Sequence, residues 1–388
     1  MLVRVPDYFD QFQCLAGACP HTCCEKWEVV IDEDSAALYQ TVSGPLGGKL
    51  RSALKRDEDG DLCFPLNGGR CPFLDGDNLC EIHRKLGEAA TSVTCREHPR
   101  FTEDYGPFRE VTLSASCPAA NALLLGSEAP LTFHTFETEE AGDIPGPPQQ
   151  PSEAGAVGRG GTRERAQFSP QGETEESGLC DDEGDVWLTY LLPLRERLLD
   201  ILTDRSRPLK ARLASFLSLA LSAQDCLDDD RPEDLPGTEE ADIPPAKEGL
   251  FPWGLRFLAS LEVLDPDWPA LLSRAEAEKT PQSENLLERI AVYFAFRYLL
   301  KTVNDGDLLS RAELCAFAVL TVERLASVCG LPEALRRFST ELEHDDDNLD
   351  ALLEALRWDF EPGELAAELG KSPLCALLTV NDSHLWKP

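Results

Sequence analysis

The chemistry of this chain is concentrated in its cysteines. Cys14, Cys19, Cys23 and Cys24 fall within CLAGACPHTCC, four thiols in eleven residues, and Cys63, Cys71, Cys80, Cys95 and Cys117 follow before residue 118. The other five of the 14, Cys180, Cys226, Cys315, Cys329 and Cys375, are scattered singly. Clustered thiols bind metal, pair as disulfides or pack as small hydrophobes. The start MLVRVPDYFDQF has neither the apolar core nor the small-residue cleavage site of a secretory signal. That points to the cytoplasm, where thiols stay reduced and clusters of them more often hold metal. Adjacent Cys23 and Cys24 also suit two ligands leaving one turn in different directions better than a bond to each other. Thiolate sulfur is soft, so the metals it selects are zinc, Cu(I) or the iron of an iron–sulfur cluster. His21, His83 and His98 lie among the thiols and one can join the ligand set, although a loop histidine satisfied by its neighbours is commoner.

The elements that must position these thiols are mostly loops. Gly68-Gly69, Asp75-Gly76 and several prolines mark tight turns in LCFPLNGGRCPFLDGDNLC, so ligands converge from several directions. The alternation of Trp27, Val29 and Ile31 predicts one short strand, a helix is expected from about Asp34, and SGPLGG at 43–48 reads as the turn that breaks it. The apolar run ANALLLG after Cys117 predicts a helix leaving the cluster. At 388 residues the chain exceeds one usual core. Residues 1–136 read as a cysteine-cluster metal-binding domain. The stretch 137–180, rich in Pro, Gly and acid with one aromatic, reads as a disordered linker that buries too little apolar area to offset its ordering entropy.

Residues 181–388 read as an all-helical domain interrupted by an acidic loop at 228–247. DVWLTYLLPLRERLLDILTD and KARLASFLSLALSAQDCL place Leu at three- and four-residue spacing. ENLLERIAVYFAFRYLLKTV sets Leu286, Ile290, Tyr293, Phe294 and Tyr298 along one face of a buried helix. Ser310-x-x-Glu313 matches a capping box, and Cys315 and Cys329 read as core filler. The expected fold is therefore mainly α, a loop-dominated cysteine-rich domain with little strand followed by an all-helical one. Net charge is -34, a field that repels phosphate backbones and anionic bilayers, so neither nucleic acid nor membrane is an expected partner. No run approaches the roughly 18 apolar residues of a membrane span. The sequence does not give the oligomeric state.

Three cysteine-bearing stretches, FQCLAGACPHTCCEKWEVVID, CPFLDGDNLCEIHRKLGEAATSVTCREHPRF and ASCPAANALLL, resemble the amino-terminal half of the flagellin lysine-N-methylases. ENLLERIAVYFAFRYLLK and FSTELEHDDDNLDALLEAL resemble that family's carboxy-terminal half. The resemblance implies methyl transfer from S-adenosylmethionine to lysine side chains of flagellin, with an iron–sulfur cluster, of the 4Fe-4S type or with zinc as the alternative, held by cysteines. Those that match are Cys14, Cys19, Cys23, Cys24, Cys71, Cys80, Cys95 and Cys117, whereas Cys63 reads as filler. Eight thiolates exceed the four that one cluster or one structural zinc takes, so either two centres exist or some cysteines only support the loops.

The motif departs from that of the radical adenosylmethionine enzymes, C-x3-C-x2-C, because Lys26 stands where the third cysteine belongs. Nor does GPLGG or NGGR follow a strand as the glycine-rich turn of a Rossmann-like methyltransferase does. A lysine attacks as the neutral amine, so some group must take a proton or desolvate the ammonium. Tyr293, Glu343 and Asp32 are the candidate catalytic residues, and Trp27, Glu341, His344 and Asn348 the candidate cofactor-binding ones. Each has a plainer reading: Asp32 as a helix cap, Tyr293 as core, EHDDDN as a solvated junction. The alternative function is a non-catalytic zinc- or iron-chelating cysteine-cluster protein.

Overall fold

In LVRVP the apolar residues alternate, and the segment forms strand β1 (Leu2–Pro6) with Val3 and Val5 buried. The computed structural model describes residues 1–26, 29–57, 60–138, 182–237, 239–240, 251–275 and 280–358, together with 365 and 369. Trp27, Cys180, Cys375, positions 139–180 of the expected linker and positions 238 and 241–247 of the acidic loop lie outside them.

After β1 come β2 (Val29–Val30), α1 (Glu33–Thr41), α2 (Gly44–Ala53), β3 (Lys55–Arg56), β4 (Leu62–Phe64), α3 (Glu81–Leu86) and α4 (Val93–Glu97). The hairpin β5 (Arg100–Asp104) and β6 (Phe108–Leu113), α5 (Pro118–Leu124) and β7 (Phe133–Glu137) complete the first part. Helices follow: α6 (Asp182–Thr203), α7 (Leu209–Asp228), α8 (Phe251–Leu258), α9 (Trp268–Ala275), α10 (Glu284–Tyr298), α11 (Thr302–Asp305), α12 (Leu309–Cys329), α13 (Leu331–Glu343) and α14 (Asp346–Trp358).

The first part holds more strand than its turn-rich sequence predicts, in a four-stranded sheet of order β5-β6-β1-β7 and a three-stranded sheet of order β2-β4-β3. These strands are two to six residues long, too short for alternation to show among turn residues. β1 runs parallel to β6 and antiparallel to β7. Two parallel neighbours need a crossover connection. Here the crossover carries the small sheet and all the clustered cysteines except Cys117, so the sheet fixes where that region enters and leaves.

The larger core draws on both sides of residue 136. Val3, Val5, Val111 and Leu113 of the sheet share it with Leu194, Leu198, Tyr293 and Leu342 of the helices. Phe133 stacks on Phe296 with centroids 4.0 Å apart. Arg195 of α6 grips Glu110 of β6 through two bonds of 2.6 and 2.7 Å, both side chains being buried. Arg289 of α10 donates to the carbonyls of Leu124 (2.6 Å) and Ala129 (2.8 Å). A second, smaller core gathers Val29, Ile31, Tyr39, Leu50, Phe64, Phe73 and Ile82 around the cysteine loops.

Two local expectations change. SGPLGG does not end the helical region but opens α2, because Ser43 stands extended at its N-cap and Pro45 occupies the first turn, where a missing N–H costs nothing. Ser310 is not a cap either. Asp307 accepts its N–H (3.2 Å) and its hydroxyl (2.5 Å), so the aspartate starts α12 and Glu313 is buried inside it. Among the described residues no helix is long and apolar enough to cross a membrane.

Candidate functional site

Short backbone links bring the cysteine runs together. The N–H of Cys71 donates to the carbonyl of Cys24 (2.8 Å), that of Lys26 to Gly69 (3.0 Å), and Arg70 pairs with Glu25. Gly68 and Gly69, with φ of +59° and +79°, make the left-handed turn that returns the chain to this partner. Cys80 is the N-cap of α3, Cys117 the N-cap of α5, and Cys95 lies in the first turn of α4, where its N–H donates to Ser92 Oγ (3.3 Å).

Cys24, Cys71, Cys80 and Cys95 line one cavity, otherwise walled by Val29, Tyr39, Phe64, Phe73, Ile82, Thr91 and Ser92. Burial raises the thiols of Cys71, Cys80 and Cys117, and nearby backbone N–H groups (Phe73; His83 and Ile82; Ala120 and Ala119) partly offset it. Burial pushes Cys71 up to about 12 and Cys95 up to about 11, with the neighbouring thiols adding to the shift. Cys24 is held down, to about 7, by the hydrogen bond it receives from Cys23. Cys14 and Cys19 bear on Cys117, and Cys23 feels both Cys14 and Cys95. Cys63 lies in β4 opposite Val30, away from the cavity lining. Cys315 and Cys329 donate to helix carbonyls at Arg311 (3.1 Å) and Leu325 (3.3 Å).

Every described cysteine is a free thiol. Among the described residues no three Cys, His, Asp or Glu side chains converge on one point as metal ligands do. Four of the thiols border one cavity, but their sulfurs do not converge as a ligand set does.

A polar cluster lies where the helices meet the segment leading to Cys117. Glu343, at the end of α13, accepts from Tyr298 (2.9 Å), from Tyr293 (3.2 Å to each oxygen) and from Ser339, and pairs with Arg297 at 3.0 Å. Tyr293 in turn accepts the N–H of Ala115 at 3.3 Å. The next residue, His344, sets Nε2 2.6 Å from Ser116 Oγ and 3.1 Å from Ser114 Oγ, with the His98 ring 5.5 Å away. Burial pushes His344 down to about 3 and His98 to about 4, so both rings are neutral near pH 7. Glu343 is saturated with donors and fixes two tyrosines rather than offering a vacant lone pair. His344 is half-buried, with its Nε2 between the two serine hydroxyls.

The structure thus brings Tyr293, Glu343 and His344 together. Glu341 and Asn348 form a neighbouring group that holds a loop. Glu341 accepts from the N–H groups of Leu264 (2.9 Å) and Asp265 (2.8 Å), while Asn348 accepts from Glu262 N (3.0 Å) and donates to Glu262 O and Glu341 O (2.9 Å each). Lys26 of the cysteine segment docks on that loop at Asp265, 2.5 Å away. Asp32 belongs to neither group, since it caps α1 at Ser35 N and ties it to Val93 N at the start of α4, both at 2.8 Å. Sequence reasoning missed Ser114, Ser116, Arg297 and the Lys26–Asp265 pair. A buried arginine in the apolar run AVYFAFRYLL was the available signal for one of them.

A lysine-N-methylase of Salmonella typhimurium is 29% identical over 149 residues, 35% of this chain and 37% of that protein, and that of Salmonella choleraesuis matches to the same extent. The flagellar biosynthetic protein FliU of Salmonella muenchen is 29% identical over 129 residues, 32% of this chain and 76% of FliU. No family model and no solved structure matches. The match spans little more than a third of the two lysine-N-methylases. The chain is thus similar, over about a third of its length and at 29% identity, to proteins named lysine-N-methylase and flagellar biosynthetic protein FliU.

Proposed function

We propose that this protein methylates lysine side chains of flagellin or a similar surface protein, with S-adenosylmethionine as methyl donor and an iron–sulfur cluster, of the 4Fe-4S type, on its cysteines. The observation that carries the reading is the continuity of Ser114, Ser116 and Cys117. Within four residues the chain passes from the hydroxyls on His344 to a thiol of the cysteine cluster. Cys14, Cys19, Cys23 and Cys117 are the thiols that would hold the cluster beside this polar group. The cluster, when bound, supplies an iron–sulfide centre next to the site.

The lysine nitrogen attacks the methyl carbon, the N–C bond forms as the S–C bond breaks, S-adenosylhomocysteine leaves, and the amine's proton must already be gone. Desolvation at a half-buried site favours the neutral amine. Tyr293 and Tyr298, buried and fixed on Glu343, would stand behind His344, fixed on Ser116, where the amine is received.

Anaerobically purified protein, incubated with methyl-labelled donor and flagellin, is expected to label flagellin lysines. Tyr293→Phe and His344→Gln should lose that activity while iron and sulfide stay at the unaltered level. No transfer by protein with its full iron and sulfide would overturn the reading. The competing reading, a chelating module without catalysis, draws on one observation: Glu341 and Asn348 spend their hydrogen bonds on the chain's own loop.

A further inference from the structure

Strand β5 closes one end of the four-stranded sheet, and β6 is its one sheet neighbour among the described residues. The bonds at its two ends fix which way its main chain faces. Ser114 N–H donates to Pro99 O (2.7 Å) and Tyr105 N–H to Phe108 O (3.0 Å). In the register that pairs Phe101 with Thr112 and Glu103 with Glu110, the odd-numbered residues therefore turn toward β6. Arg100, Thr102 and Asp104 turn their N–H and C=O groups outward, and Thr102 and Asp104 are exposed. From this edge we infer an interaction surface: an extended, lysine-bearing segment of the protein substrate adds to β5 as a further strand and delivers its lysine to His344. The inference rests on the methylation reading proposed above and names how that site takes its substrate.

A row of outward main-chain groups is a template for a partner strand unless something blunts it. RFTED holds no proline, and its unbroken register against β6 leaves no bulge. Its acids are taken up sideways, Glu103 by Lys301 (2.5 Å) and Asp104 by Arg109 (2.7 Å). The edge also leads to the polar cluster. In an added strand the residue opposite Phe101 projects to the same face as Phe101. On that face the Phe101 ring lies 5.8 Å from the His344 ring and carries the Arg297 guanidinium.

Charge selects the kind of segment. His344 is followed by Asp345, Asp346 and Asp347, the last two exposed. Burial, with the charges of Asp346 and Asp347, raises Asp350 in the next turn, and Arg311 and Lys301 only partly offset the shift. A carboxylate-rich rim of that kind attracts a cationic side chain and repels an acidic one. The sheet's other end, β7, offers a comparison. Asp7 N–H to Thr132 O and Thr138 N–H to Met1 O turn Phe133, Thr135 and Glu137 outward there, and Phe133 packs on Phe296 and Arg4.

The test uses the full chain, purified anaerobically, with flagellin as substrate and fluorescein-labelled lysine peptides of flagellin sequence as binding probes. Thr102→Pro removes an outward N–H and no ladder bond, and proline is tolerated on an edge strand at such a position. Its KM for flagellin should rise about 3- to 10-fold, the worth of one main-chain hydrogen bond, with the KM for S-adenosylmethionine and the iron content unchanged. Thr135→Pro, the matching change on β7, should leave all three unchanged. Because Thr102→Pro can fail to fold, the unaltered protein is also titrated with peptides N-methylated on the backbone at one residue at a time. Affinity should fall at alternate residues around the lysine and hold at those between. Equal loss at every residue or at none, no binding of any peptide, or a flagellin KM that Thr102→Pro leaves unchanged overturns the inference. So does a dimer that Thr102→Pro dissociates, because the edge then serves a second copy of this chain. Alternating sensitivity without methyl transfer, in protein with its full iron and sulfide, counts instead against the proposed function.

Discussion

Glu343→Gln keeps the side chain's size and one carbonyl oxygen but removes the charge that faces Arg297. Both partners are buried, the arginine 6% and the glutamate 1% exposed, and Arg297 Nη1 has no hydrogen-bond partner even in the unaltered protein. Leaving one member of a buried pair uncompensated costs about 3–5 kcal/mol. The guanidinium keeps its stack on Phe101, 3.2 Å from the ring centroid, worth about 0.5–2 kcal/mol, so the fold should survive. At about 2–4 °C per kcal/mol for a unit of this size, the melting temperature should fall by roughly 6–20 °C.

Tyr293→Phe removes one hydroxyl and strands the Ala115 N–H, for about 1–3 kcal/mol, and Tyr298→Phe should cost no more. Denaturant unfolding of the three variants, with iron content measured in parallel, gives the ranking. The double change Arg297→Met/Glu343→Leu should recover much of the loss, since an apolar pair of similar volume removes both charges together. A loss below about 1 kcal/mol for Glu343→Gln, or a smaller loss than for Tyr298→Phe, would refute the view that a buried charge pair organises this cluster.

Burial raises Glu341 from 4.5 to about 7, so the fold favours its neutral form. That contribution is complete below about pH 4.5 and is lost as pH rises through 7. Relative to Glu341→Gln, the unaltered protein should therefore lose stability between pH 5 and 7 in denaturant midpoints. His98 and His344 act in the opposite sense: lowered from 6.5 to about 4 and 3, they stabilise above pH 6.5 and lose that contribution as pH falls toward 3. A His98→Asn/His344→Asn protein should show a flatter acid limb in the same titration. Cys315→Ala should leave metal content unchanged, because that thiol is buried in α12 and bonded to Arg311 O, and should lower stability by about 1–2 kcal/mol.

The long helices were legible because three- and four-residue spacing persists over many turns; α6, α7, α10 and α12 stand where Leu, Ile and aromatic periodicity puts them. The sheets were less so: β2 falls within the expected Trp27–Ile31 strand, but β3 and β4 have only two or three residues each and β1 finds its partners β6 and β7 far along the chain. Within the site, Tyr293 and Glu343 could be singled out as residue types. Their meeting could not, since it depends on how α10 and α13 pack and on which carboxylate of EHDDDN turns inward. Spacing gave the cysteines as a set but not their grouping, which follows from the return of Cys71 to Cys24 through a left-handed glycine pair. Asp32 shows the reverse: acid followed by a helical stretch reads as a cap, and it caps α1.

The end of α13 explains why the cysteine region and the helices act as one structure. Within the turn 341–344 three polar side chains take three different partners: Glu341 the 264–265 backbone, Glu343 the tyrosines of α10, His344 the serines before Cys117. The first of these positions Asp265 to receive Lys26, two residues after Cys24, and the last lies three residues from Cys117 through Ser114. Two ends of the cysteine region are thereby tied to a single helical turn, one by an ion pair and one by hydroxyl–imidazole bonds. The tyrosine–glutamate cluster lies between these ties. The polar cluster and two ends of the cysteine region are therefore fixed to one helical turn, so the position of each depends on how α13 ends.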